Sequence, residues 1–133
     1  MEIFVSWSGE RSRLLAQKLC KWIPEVLQYG RPWMSAEISA GRRWSQELAE
    51  RLRGTNYGIL CLTPENVRAP WIMFEAGGLA KQWTSARVVP LLFGGLHPDD
   101  LPSPLDQFQA KHASRLGLAE LVQDINMWSG DSG

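Results

Sequence analysis

The sequence lacks the motifs of several common site types. It contains neither a GxGxxG nor a GxxxxGK[ST] stretch, so we expect neither a dinucleotide-binding turn of the Rossmann type nor a phosphate-binding P-loop. It has no CxxC, no HExxH and no cluster of histidines, so we expect no zinc site and no other metal. A Gly-x-Ser-x-Gly nucleophile elbow is also absent. The site must therefore use other chemistry.

The chain also has no surplus of either charge, because 14 basic and 14 acidic residues cancel. A protein that binds nucleic acid or an anionic membrane directly would need a basic surplus. No apolar run approaches the roughly 18 residues of a membrane span. Met1 leads straight into a strand-like run, so we expect no signal peptide. Cys20 and Cys61 lie in apolar segments and are expected to be reduced core residues, which indicates a cytoplasmic protein.

What the sequence does have is the length of one ordinary domain and an unusual number of tryptophans, seven in 133 residues. We place the domain at residues 1–128. The Ser/Gly-rich residues 129–133 are typical of a linker, after which a fused sensor domain could follow in a longer protein. Tryptophans serve as large core residues or as the walls of a pocket for a flat ligand. Both interpretations are kept for the tryptophans near the predicted site.

Strand-like and helix-like segments alternate along the chain. The first helix carries Leu15, Leu19, Trp22 and Val26 on one apolar stripe, and Pro24 should kink it or end its regular part. Strands are predicted at residues 2–7, 31–35, 57–62, 87–93 and 108–110, and later helices at residues 42–53, 70–83 and 117–127. Pro90 predicts incomplete pairing of the fourth strand. This order predicts a three-layer, flavodoxin-like α/β fold: a parallel sheet of about five strands, order 2-1-3-4-5, with helices on both faces.

In such a sheet, ligands bind beyond the carboxyl ends of the strands, at the switch point between strands 1 and 3. Trp7 and Ser8 follow strand 1, and the helix after strand 3 carries Trp71 and Glu75 at i and i+4 on one face. This spacing holds a carboxylate beside an indole near the predicted site. From spacing alone, a solvated glutamate beside a core tryptophan fits equally well.

Three blocks of the sequence resemble the Toll/interleukin-1 receptor (TIR) domain family, in its bacterial form. They are Ser6-Trp7-Ser8-Gly9-Glu10, residues 37–44 (EISAGRRW), and Leu62-Thr63-Pro64-Glu65-Asn66 followed by Pro70-Trp71-Ile72-Met73-Phe74-Glu75. The blocks occur in the family's order and spacing, and the resemblance covers residues 2–93. A phospho-receiver domain, which shares the fold, would instead place an acidic pair after strand 1 and an aspartate at the end of strand 3.

The resemblance implies an NAD-cleaving enzyme of bacterial immune-type defence, in which NAD is the substrate and no cofactor is needed. By resemblance Glu75 is the catalytic residue. The expected substrate-binding residues are Trp7, Ser8, Ser35, Trp44 and Trp71. The sequence departs from the family pattern at Trp7, where Tyr or His is common, and at Ser35, where an aspartate often stands. The resemblance also implies activation by TIR–TIR association, with filaments as one form of it.

Two alternatives belong to other classes. The first is a non-enzymatic TIR interaction module that acts through residues 37–44 and has no need of Glu75. The second is an enzyme similar to nucleoside deoxyribosyltransferases, which have a related fold and also use a carboxylate on a glycosidic bond. That enzyme would need further acidic residues near the end of strand 1, and only Glu10 is available there.

Overall fold

The computed structural model describes residues 1–34, 54–69, 87–103 and 105–132. The predicted helices at residues 42–53 and 70–83 lie outside these ranges. The described strands are β1 (Glu2–Ser6), β2 (Arg31–Met34), β3 (Tyr57–Leu62), β4 (Arg87–Leu92) and β5 (Lys111–His112), and the helices are α1 (Glu10–Val26) and α2 (Arg115–Ser132). Two short 3₁₀ turns, Pro98–Asp100 and Leu105–Gln107, lie between β4 and β5.

The five strands form one parallel sheet in the order β2-β1-β3-β4-β5, which confirms the predicted fold class. Side chains alternate across the sheet because the strand period is two. Ile59 and Cys61 of β3 pack on the face that also receives both described helices, whereas Leu60 and Leu62 face the opposite cluster. The cluster that contains Ile59 and Cys61 also includes residues of the two helices: Ala16, Leu19, Ile23, Leu121 and Ile125. The opposite cluster includes Leu96, Leu101 and Leu105 from the turns before β5.

Helix α1 follows the predicted periodicity, but its buried stripe is displaced from the predicted one. The buried residues are Ser12, Ala16, Leu19 and Ile23. The prediction for Val26 was wrong, because this side chain is 44% exposed. The helix ends at Val26, so the next residue, Leu27, has an extended backbone and takes the buried position instead. Pro24 lies in the last turn of the helix, close to where the sequence predicts the end.

The late elements differ most from the prediction. The fifth strand is Lys111–His112, which pairs with Leu91 and Leu92 of β4, so the prediction of a strand at residues 108–110 was wrong. Pro90 is consistent with this limited pairing, although β4 pairs with β3 along its full length. Helix α2 extends beyond both predicted ends, so residues 129–132 form its last turn and are not an extended linker. The placement of the domain boundary at residue 128 stays a prediction.

Asp124 ties α2 to the end of the sheet at which β3 and β4 begin. Its carboxylate accepts hydrogen bonds from Arg87 Nη2 (2.8 Å), Arg87 Nε (3.1 Å) and the Tyr57 hydroxyl (2.7 Å). Burial by itself would raise the pKa of Asp124, but the hydrogen bonds from Arg87 and Tyr57 outweigh it, and the pKa lies below its ordinary value. Burial and the bond to Asp124 together raise the pKa of Tyr57, so the phenol stays a donor.

We predict that Asp124→Asn lowers the free energy of unfolding by roughly 1.5–3 kcal/mol at neutral pH, because it weakens charge-assisted hydrogen bonds. The folded pKa of Asp124 is depressed, so its stabilisation is complete above the unfolded pKa, near 3.8, and is lost as the pH falls through the folded pKa. Urea unfolding of both chains at a series of pH values measures this, with the exposed Asp99→Asn as control. A difference between the chains that stays constant into the acid range would contradict the assignment.

Gly117 marks the closest approach of α2 to β5. A Cβ atom at this position would lie 1.8 Å from the carbonyl oxygen of His112. The turn is further fixed by the Ser114 hydroxyl, which accepts a hydrogen bond from the Gly117 N–H at 3.1 Å. The first turn of the helix therefore has no room for any side chain at Gly117.

We predict that Gly117→Ala destabilises the fold by on the order of 3 kcal/mol or more, because the clash is with backbone and not with a movable side chain. Gly130→Ala is the matched control in the same helix, since a Cβ there meets nothing within 4 Å. That change should be neutral or stabilising, because alanine favours helix by about 1 kcal/mol over glycine. Thermal unfolding of the two variants measures the difference, and equal melting temperatures would refute the close approach.

Candidate functional site

The candidate site lies where the strand order reverses, beyond the carboxyl ends of β1 and β3. From β1 the chain continues through α1 to β2 on one side, while β3 lies on the other side of β1. Such a switch point leaves a crevice between the two connections. Trp7 and Ser8 follow β1, and Thr63 through Asn66 follow β3. Two polar side chains from different segments join these ends.

Ser12 is the first of these side chains. It lies in the first turns of α1 with no exposed surface. Its hydroxyl accepts a hydrogen bond from the Ser8 N–H (3.0 Å) and donates one to the Cys61 carbonyl oxygen (2.6 Å). A hydroxyl can serve as donor and acceptor at once, so one side chain connects the end of β1 to β3. The start of α1 is thereby fixed against the sheet.

Asn66 is the second, and it is 3% exposed. Its Nδ2 donates to the Ser8 carbonyl oxygen (2.8 Å) and to the Cys61 carbonyl oxygen (3.1 Å), and its Oδ1 accepts from the Thr63 N–H (2.8 Å). One side chain therefore provides hydrogen-bond partners to three backbone groups. Together with Ser12, the amide holds both the N–H and the carbonyl of Ser8.

An exposed link joins the same segments at the surface. The Arg11 guanidinium pairs with the Glu65 carboxylate and lies 5.3 Å from the centre of the Phe93 ring. The pKa of Glu65 lies below its ordinary value. Its carboxylate accepts hydrogen bonds from the Glu65 backbone N–H and the Thr63 hydroxyl, which lower the pKa most, and Arg11 lowers it further. Gly94 lies close beside Arg11 with a φ of +74°. Arg11 and Glu65 are each about half exposed, so this pair contributes little to stability.

The structure describes two of the six predicted site residues. Ser8 is half-buried and belongs to the hydrogen-bonded network. Trp7 is 6% exposed and packs in the core cluster between the sheet and the two helices. Its geometry is that of a core residue, and its role in substrate binding stays a prediction. The other predicted site residues lie outside the described residues: Ser35, Trp44, Trp71 and Glu75.

Ser12 and Asn66 were not among the site residues predicted from the sequence. Ser12 could have been recognised from its spacing. It lies four residues before Ala16, which places its hydroxyl on the buried stripe of α1. A polar residue at such a position needs a hydrogen-bond partner. Asn66 left a weaker signal, since an asparagine in a turn after a strand is common for local reasons. Only the folded structure shows that its amide reaches Ser8.

Other reactive groups of the described residues do not converge on this site. Among residues 1–34, 54–69, 87–103 and 105–132, no group of three His, Cys, Asp or Glu side chains could hold a metal ion. Cys20 and Cys61 are free thiols. Burial raises the pKa of Cys20 to about 11 and also raises the pKa of Cys61. Both thiols are therefore protonated at neutral pH and are poor nucleophiles.

None of the helices that the structure describes is long and apolar enough to cross a membrane. Comparison with curated proteins finds no relative that matches the chain. Comparison with protein families gives one finding, a match of residues 3–124 to the family described as TIR domain. The match begins within β1 and ends at Asp124, so it spans all five strands and the switch point between β1 and β3. The chain therefore belongs to the TIR domain family.

Proposed function

We propose that this TIR domain cleaves NAD at the bond between nicotinamide and ribose, with Glu75 as its catalytic residue. The observation that carries the proposal is the match to the family over residues 3–124, which includes Glu75 in the sequence that follows β3. The described part of the site supports it. The ends of β1 and β3 are joined by buried hydrogen bonds at the edge of the sheet where ligands of such folds bind.

The chemistry requires few groups. Nicotinamide leaves NAD as a neutral molecule from a cationic linkage, so no general acid is needed to expel it. The transition state at the ribose resembles an oxocarbenium ion, as in glycoside cleavage. A single carboxylate can accept hydrogen bonds from the ribose hydroxyls and stabilise the developing positive charge. Glu75 takes this role in the proposal, with Trp71 as an aromatic wall that stacks on the nicotinamide. A water molecule then bonds to the ribose C1′ and loses a proton, so the products are nicotinamide and ADP-ribose.

The alternative is an interaction module without enzymatic activity, which would act by TIR–TIR association through residues 37–44. The two functions differ in their need for the carboxylate of Glu75. By resemblance to bacterial members, the enzyme would act in the cytoplasm in immune-type defence, together with a sensor domain that is fused to it or binds it.

We predict that Glu75→Gln abolishes the release of nicotinamide from NAD, because the amide keeps the shape of the side chain and loses its charge. The loss should reach about a hundredfold or more, as when a group that stabilises the transition state is removed. The rate of nicotinamide release from NAD is measured by chromatography after the purified chain has been incubated with NAD. Glu25→Gln, the same change at an exposed position near the end of α1, is the control and should keep full activity. Release that Glu75→Gln leaves unchanged would place the chemistry on another residue, and a lack of release from all three chains would leave the interaction module as the function.

We further predict that activity depends on self-association through residues 37–43. A head-to-tail contact that does not close would build a filament, and its formation follows mass action. Nicotinamide release per mole of chain should rise steeply over about a hundredfold range of protein concentration. Arg42→Glu should flatten this rise, whereas Lys21→Glu, the same charge reversal on an exposed face of α1, should not. Constant specific activity on dilution would show that a single chain is sufficient.

A further inference from the structure

We propose that Asn66 and Ser12 are positioning residues, which hold the backbone of Ser8 in the geometry that binds NAD. This inference rests on the proposed function and adds to it two residues that touch no substrate. Ser8 lies beyond Ser6, the last residue of β1 and of its pairing with β3. Ser8 therefore lies two residues past the end of the pairing between β1 and β3. The next residue, Gly9, has a φ of +85° and begins the turn into α1.

Beyond the end of the pairing between β1 and β3, two side chains bind the backbone of Ser8. The Ser12 hydroxyl accepts the Ser8 N–H, and the Asn66 amide donates to the Ser8 carbonyl. Both side chains also donate to one common point, the carbonyl oxygen of Cys61 in β3, at 2.6 Å and 3.1 Å. Cys61 has no exposed surface and lies in the centre of the sheet. Ser8 is thus linked to the central strand β3 through two side chains.

Burial makes these links firm. Ser12 is fully buried and Asn66 is 3% exposed, and in such surroundings hydrogen bonds are stronger and the loss of one partner is costly. The Arg11–Glu65 pair connects the same two segments, but its side chains are about half exposed. If the Ser8 backbone shapes the substrate site, breaking the buried links must affect the binding of NAD, and breaking the exposed pair must not.

Two variants break the buried links in different ways. Ser12→Ala removes one oxygen and with it both contacts of the hydroxyl. Asn66→Asp keeps the shape and the acceptor for the Thr63 N–H but places a carboxylate oxygen against two carbonyl oxygens. Ser12→Ala keeps the test available if the buried charge unfolds the second variant. Glu65→Gln is the matched control on the exposed side.

The dissociation constant of NAD is measured by calorimetry in the Glu75→Gln chain, so that turnover does not interfere. Adding Ser12→Ala or Asn66→Asp should raise this constant by about tenfold, and Glu65→Gln should leave it unchanged. Hydrogen exchange of the Ser8 amide, followed by NMR, should accelerate in Ser12→Ala. In the chain with Glu75 intact, KM should rise more than kcat falls. A purely structural role would lower the melting temperature and leave both the dissociation constant and KM unaltered.

An unchanged dissociation constant in a Ser12→Ala chain whose Ser8 amide has lost its protection overturns the inference and leaves the proposed cleavage standing. Nicotinamide release that does not depend on Glu75, with NAD binding still weakened by both variants, overturns the proposed function and supports the positioning role. A chain with Glu75 intact that neither binds NAD nor releases nicotinamide overturns both.

Discussion

The buried amide of Asn66 is the interaction on which this end of the molecule depends. Parallel strands stop pairing at their carboxyl ends, yet the chain there is still covered, so the last backbone groups need other partners. Asn66 supplies partners to Ser8, Cys61 and Thr63 with one side chain. Ser12 completes the set from α1. The direction in which α1 leaves the sheet and the position of the segment after β3 are therefore set by one hydrogen-bonded unit.

The opposite end of the sheet is held by charge. There Asp124 draws Tyr57 and Arg87, the first residues of β3 and β4, onto α2. The two ends thus use different means for different purposes. An ion pair with a hydrogen-bonded phenol fixes the packing of the last helix, whereas neutral hydrogen bonds from Ser12 and Asn66 join the ends of β1 and β3.

Much of this architecture could be predicted from the sequence, because hydrophobic periodicity reports which face of an element is buried. The apolar run of β3 and the alternation of strands with helices were sufficient to predict the order of the strands in the sheet. The predictions that failed concern features that depend on tertiary contacts. Phe108 and Ala110 pack against a core cluster and so resemble strand residues, yet the pairing partners of β4 select Lys111 and His112. The reach of Asn66 across to Ser8 spans two segments far apart in sequence, and no local pattern contains it.

Trp7 is a core residue of this fold, and its role in substrate binding stays a prediction. Its indole packs against the helical face of the sheet, although its position in the sequence is one where the family often has another aromatic or a histidine. Ser8, the next residue, is half-buried. Its N–H donates to the Ser12 hydroxyl, and its carbonyl accepts from the Asn66 amide. These two buried side chains therefore hold the backbone of Ser8 at the end of β1, beside a tryptophan that belongs to the core.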